Sequence, residues 1–215
     1  MKTIYCISGL GADERAFSKL TIAGYNLKVI PWLEPGKTET IENYARRMRA
    51  TIETENPFLM GLSFGGMICI EIAKQIHVEK IIMISSIKTS GELPFWLKTV
   101  ARLRLDKFFP LRTNKLIEPI QNKMLGITDA EDKKMVANYR RNANQKYIKW
   151  AVNQAINWKN DWQPPEIYHI HGESDNLFPI KNIKADFTIK NAGHFMIMNR
   201  AVEVSDIINH ILNKK

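Results

Sequence analysis

Three short stretches of this 215-residue chain carry side chains that could do chemistry together. The first is Gly61-Leu62-Ser63-Phe64-Gly65-Gly66, a GxSxGG turn that follows the apolar run Phe58-Leu59-Met60. Small residues on either side of Ser63 let the backbone turn sharply from strand to helix, which holds the serine out at the top of a sheet as a nucleophile. The second stretch, His171-Gly172-Glu173-Ser174-Asp175, supplies a carboxylate after a strand. The third, Ala192-Gly193-His194, supplies an imidazole after another. A serine hydroxyl is a weak nucleophile at neutral pH unless a base removes its proton during attack, and His194 is the candidate base. Asp175 would accept the other ring N–H, fixing the tautomer and stabilising the imidazolium that forms. Glu173 is the nearest rival for the acid. His171 reads as a residue that shapes its loop by hydrogen bonding, and His77 and His210 read as capping or core histidines.

Such residues meet only if a parallel sheet presents its carboxyl ends on one edge, because ligands of open α/β sheets bind there. The hydrophobic pattern supplies that sheet. Apolar or β-rich runs at 3–8, 27–31, 58–60, 80–85, 167–171 and 186–189 read as strands. Helical patterns lie between them, including one over 40–54 that would bury Ile41, Tyr44, Ala45, Met48 and Ile52, and a final one over 200–212. Strands alternating with helices imply a doubly wound α/β fold with a mostly parallel six-stranded sheet. The alternation stops between the fourth and fifth strands. Residues 93–105 and 113–124 read as helices, and a long helix is expected from a Thr128-Asp129-Ala130-Glu131 capping box through Ile156. Pro164-Pro165 closes this segment. The expected division is an α/β core of residues 1–87 and 163–215, with 88–162 inserted as an α-helical cap.

Composition narrows the possible partners. The net charge is +9, but residues 88–160 hold fifteen Lys/Arg against six Asp/Glu, and the rest of the chain holds sixteen of each. The whole excess therefore sits in the helical insertion, without any nucleic-acid-binding motif, so no nucleic acid is expected as a partner. No run of eighteen apolar residues and no basic-then-apolar leader occurs, and a soluble, cytoplasmic protein without an integral membrane segment is expected. Cys6 and Cys69, both in apolar elements, are expected to be free core thiols, and no metal-ligand spacing appears.

Taken together, Gly61 to Gly66, His171 to Asp175 with Pro179 four residues on, and Gly193-His194 resemble the motifs of the α/β-hydrolases, and the resemblance runs over nearly the whole chain. The order Ser, then acid, then His matches that family. The resemblance implies a lid after the strand that follows the nucleophile helix, where the helical insertion lies. It also implies an oxyanion hole from the backbone N–H groups of Leu10 and Phe64, and an acyl-enzyme route for a small ester or thioester with no cofactor and no metal. The chain departs from many relatives in carrying Ser8-Gly9 where His-Gly is common and Leu62 where His is frequent, and in lacking two opening antiparallel strands. The compact branch it is most similar to includes small esterases and hydroxynitrile-lyase-like proteins. A lyase using the same triad, or a ligand-binding and signalling module, are the alternative readings. Candidate pocket residues are Phe95 and Trp96 in the cap and Phe195 and Met196 after the histidine, with core packing the competing reading for the last two. Trp150 and Trp158 are expected in the core. A basic cap beside the pocket would suit an anionic substrate, such as an acyl-CoA or a small carboxylate. An anionic membrane met by Phe95, Trp96, Phe108 and Phe109 is the other reading, and a solvated helix face the plain one.

Overall fold

The computed structural model describes residues 1–104 and 117–214; Phe108, Phe109 and the start of the helix expected over 113–124 lie outside them. Six strands form one sheet: β1 (Lys2–Ile7), β2 (Tyr25–Val29), β3 (Phe58–Leu62), β4 (Lys80–Ile84), β5 (Ile167–Gly172) and β6 (Phe187–Ile189). Their order is β2-β1-β3-β4-β5-β6, and all neighbouring pairs are parallel. The chain crosses from β1 outward to β2 and then back past β1 to β3. The sheet therefore has its switch point between β1 and β3, where the crossovers leave toward opposite faces and a crevice opens at the carboxyl ends.

Period-two alternation assigns each strand residue to a layer. Tyr5, Ile7, Leu59, Ile81 and Met83 face one side, where they pack with α1 (Ile41–Arg49) and α2 (Phe64–Ala73). Ile4, Cys6, Met60, Ile82 and Ile84 face the other, against α7 (Met196–Asn199) and α8 (Ala201–Asn213). Every residue of α2 except Ala73 is buried, as its all-round apolar sequence requires. Glu71 is the one charged side chain in that helix, and it is matched by Lys74 Nζ at 2.6 Å and by Trp158 Nε1 at 2.7 Å. Cys6 and Cys69 are buried free thiols.

Between β4 and β5 the described residues form four α-helices: α3 (Phe95–Arg102), α4 (Glu118–Leu125), α5 (Ala130–Asn142) and α6 (Gln145–Asn157). The single long helix expected from 128 through 156 is thus two. Asn144 divides them by accepting the Lys146 and Tyr147 N–H groups at 2.9 and 3.2 Å, an N-cap that starts a new helix. The first of the two is capped by Asp129, not Thr128, through the N–H groups of Glu131 and Asp132. Splitting the helix lets it straddle the sheet. Val136 and Tyr139 of α5 join the layer of α7 and α8, while Tyr147, Ala151 and Ile156 of α6 join that of α1 and α2. The turn between them sits on the loop after β1, so that a methyl added to Gly11 would stand 3.1 Å from Ile148 Cδ1 and 3.8 Å from Ala143 Cβ.

Polar side chains tie this segment to the sheet at its two ends. Glu92 accepts the Lys88 N–H at 2.5 Å and the Lys184 N–H at 3.1 Å, while Asn160 Nδ2 donates to the carbonyls of Lys88 and Trp162 at 2.8 and 2.7 Å. Among the described residues, no helix is long and apolar enough to cross a membrane.

Candidate active site

Register pairs Leu62 with Ile84 and Ile84 with Ile170, so the residues after β3, β4 and β5 emerge side by side at one edge. Ser63 stands between β3 and α2 with φ 51° and ψ −118°, a backbone conformation that costs of order 1–3 kcal/mol in a non-glycine residue. Its surroundings hold it there: the Ser63 N–H donates to the Ile84 carbonyl at 2.9 Å, and Ser86 Oγ donates to the Ser63 carbonyl at 2.6 Å. Gly65 explains why the turn must be small on its helical side, since a Cβ there would overlap the carbonyl oxygens of Ile7 and Ser8.

The three side chains singled out in the sequence meet in one line. His194 Nε2 lies 3.0 Å from Ser63 Oγ, and His194 Nδ1 lies 2.8 Å from Asp175 Oδ2. Asp175 Oδ1 accepts the Leu177 and Phe178 N–H groups at 2.8 and 2.9 Å, so each carboxylate oxygen is used and the side chain has one orientation. Burial alone would raise the Asp175 carboxyl, but the imidazoles of His194 and His171 and the Phe178 N–H outweigh it and hold the group below its ordinary value. The acid-bearing and base-bearing loops approach closely: a Cβ on Gly172 would overlap the Ala192 carbonyl, and the Ser174 N–H donates to that carbonyl at 2.9 Å. Glu173 is turned away, accepting from Thr188 Oγ1 at 3.3 Å.

Phe64 follows the serine directly in the chain. Phe64 opens α2, so its N–H has no acceptor within the helix. The Gly9 to Gly11 loop passes beside the nucleophile, because a methyl on Gly9 would stand 3.6 Å from Ser63 Cβ. Behind them the Phe64 ring stacks on Trp32 at 5.7 Å, and Trp32 lies 5.1 Å from Tyr147 of α6. The other candidate pocket residues divide between surface and core. Phe95 is 83% exposed and Trp96 39% exposed at the start of α3, because the buried side of that short helix is the one carrying Leu97. Phe195 and Met196 are buried in the layer of α7 and α8. Trp158 is buried, and Trp150 packs on Tyr44 with its Nε1 donating to the Glu39 carbonyl at 2.7 Å.

Two histidines extend the polar line beneath the carboxylate. His171 Nε2 is 2.8 Å from the Phe178 carbonyl and 3.4 Å from Asp175 Oδ2, while its Nδ1 is 3.2 Å from His169 Nε2. Both rings are fully buried. Burial pushes His171 below its ordinary value, against the opposing pull of Asp175, and drives His169 well below it, with His171 and Lys88 adding to the effect. His169 was not singled out from the sequence. Its signal is the spacing: two imidazoles two residues apart in an apolar strand fall on the same face of β5. Among the described residues, no cluster of three or more His, Cys, Asp or Glu is arranged to hold a metal ion.

No protein-family model matches the chain, and no curated protein matches it. Solved structures do. A thermophilic esterase from Thermogutta terrifontis has a TM-score of 0.76 at 16% identity, covering 99% of this chain and 89% of that one. A meta-cleavage product hydrolase from Pseudomonas fluorescens has 0.73 at 14%, covering 99% and 91%. An epoxide hydrolase from Bacillus megaterium has 0.69 at 13%, covering 100% and 94%. Similarity this low in sequence and this complete in space, together with a six-stranded parallel sheet and an elbow after β3, shows that the chain has the α/β-hydrolase fold.

Proposed function

We propose that the protein is a serine hydrolase that cleaves a carboxylic ester or thioester through an acyl-enzyme. The observation that carries this reading is the unbroken line from Ser63 Oγ through His194 to Asp175, with contacts of 3.0 and 2.8 Å at the switch point of the sheet. Ser63 Oγ attacks the substrate carbonyl carbon as its proton passes to His194 Nε2. The resulting oxyanion is received by the N–H groups of Leu10 and Phe64, donors already in place before charge develops. Collapse breaks the bond to the leaving group, which takes the proton from His194. Water then loses a proton to His194, attacks the acyl carbon and returns the serine to its hydroxyl form. These steps ask for no cofactor.

Residues 88–162 serve in this reading as the cap. The clasp of Glu92 and Asn160 at the ends of the segment and the contact of the α5–α6 turn with the Gly11 loop support that role. The charge excess of the segment favours a substrate that is anionic away from the scissile bond, and its confinement to one part of the chain is what supports the idea.

Turnover of p-nitrophenyl esters of graded acyl length tests the proposal and separates it from the lyase and binding-module readings. Ser63→Ala should melt as the wild type does and lose about 10⁶ in kcat, as members of a triad acting as a unit do. A folded Ser63→Ala protein that keeps more than a small residue of activity removes Ser63 from the role.

A further inference from the structure

We propose that His171 is a positioning residue for the Asp175 carboxylate. The inference rests on the serine-hydrolase reading. Phe178 is the hub of the argument. Its N–H donates to Asp175 Oδ1 at 2.9 Å, its carbonyl lies 2.8 Å from His171 Nε2, and its ring meets the His194 ring edge-on at 5.4 Å. A single residue thus touches the acid, the base and the buried imidazole, and His171 is what holds its carbonyl in place.

The proton inventory fixes how it does so. A carbonyl oxygen only accepts, so the hydrogen of neutral His171 is on Nε2. That N–H edge faces Asp175 Oδ2 at 3.4 Å, and Oδ2 is the oxygen that receives the His194 ring. His171 Nδ1 then presents a lone pair toward His169 Nε2, 3.2 Å away, an atom that the Ser86 backbone N–H also approaches at 3.4 Å. His169 Nδ1 is buried without a partner among the described residues. The charged groups around this unit come from four directions. Asp175 and His194 face His171 from the two loops of the site. Lys88, after β4, acts on His169, and Asp186, before β6, accepts the His169 backbone N–H at 2.8 Å and lies 3.9 Å from Lys88 Nζ. In this arrangement the polarised N–H of His171 shares the Asp175 charge with His194 and keeps the Asp175 to Phe178 turn closed.

The test uses the rate at which a fluorophosphonate modifies Ser63, followed against pH, because that rate needs no knowledge of the substrate. His171→Leu should slow labelling about ten-fold or more, the loss of one buried hydrogen bond beside a charged group. Its acid-side fall should move to higher pH, since Asp175 then acts on His194 alone. A role in packing alone would lower the rate equally at every pH. His171→Gln, which keeps an amide N–H near the Nε2 position, should recover most of the rate. Nitrogen NMR of the wild-type ring should find the hydrogen on Nε2 at neutral pH. A folded His171→Leu protein that labels at the wild-type rate with an unmoved profile overturns the proposal. If His171→Leu fails to fold, His171→Gln decides, and a folded His171→Gln protein slowed more than ten-fold, or a wild-type ring carrying its hydrogen on Nδ1, overturns it as well. Wild-type protein that does not label at all removes the serine-hydrolase reading itself, and this role with it.

Discussion

Mild acid should destabilise this protein through its buried histidines. In an unfolded chain His169 has its ordinary value of 6.5, but in the fold burial holds it well below that. The unfolded state therefore binds a proton that the folded state refuses, and stability falls as pH drops below 6.5 toward the folded value. At about pH 5.5 one histidine that stays neutral in the fold costs roughly 1–2 kcal/mol, since each pKa unit is worth about 1.4 kcal/mol. For a chain of this size that corresponds to a fall in Tm of roughly 3–6 °C. His171 adds to it in the same direction but less, because Asp175 and the Phe178 carbonyl oppose the effect of burial. Asp175 acts in a separate window: its value is lowered from 3.8, so its contribution is present above that pH and is lost only in stronger acid. Calorimetric melting at about pH 7 and pH 5.5 measures the difference, and His169→Leu should flatten it whatever its effect at pH 7. Equal wild-type melting temperatures at the two pH values, or an undiminished fall in His169→Leu, would refute the reasoning.

Two further outcomes follow from the site. Gly172→Ala should drive the acid-bearing turn away from the Ala192 carbonyl and lower ester turnover by about 10²-fold, the scale expected for a small misplacement of catalytic groups. Gly91→Ala, whose added methyl would meet only Thr89 Oγ1 at 3.4 Å, is the control that should turn over normally in the same assay. If the basic segment steers an anionic substrate, kcat/KM for an acyl-CoA should fall from about 0.1 M to 1 M salt, as the Debye length shortens from about 10 Å to 3 Å. An uncharged thioester of the same acyl group should fall less, and equal responses would reduce the charge to a solvated surface.

The sheet and the elbow were legible because their signals are local. Continuous apolar runs mark β3 and β4, which are covered on both faces, and the GxSxGG spacing marks a turn whose reason is visible in the overlap that a Cβ on Gly65 would cause. Ser63, Asp175 and His194 could be singled out because each follows a strand, and parallel strands bring their ends together. Helix boundaries were less legible. The break at Asn144 depends on one side chain turning back to cap the next helix, which the helical spacing on either side does not report. Residue type singles out Phe95 and Trp96 in the sequence, while their exposure is set by which side of α3 carries Leu97 to the core. The clasp of Glu92 and Asn160, and the bond from Trp158 to Glu71, join residues far apart in the chain, which no local pattern reports.

The central claim is that Ser63 is a nucleophile activated by His194. Incubation with a fluorophosphonate followed by peptide mass mapping tests it most directly. The account predicts one adduct, on Ser63, absent from Ser63→Ala and formed far more slowly in His194→Ala. A folded wild-type protein that forms no adduct, or one that carries it on another residue and keeps it in Ser63→Ala, would contradict the account.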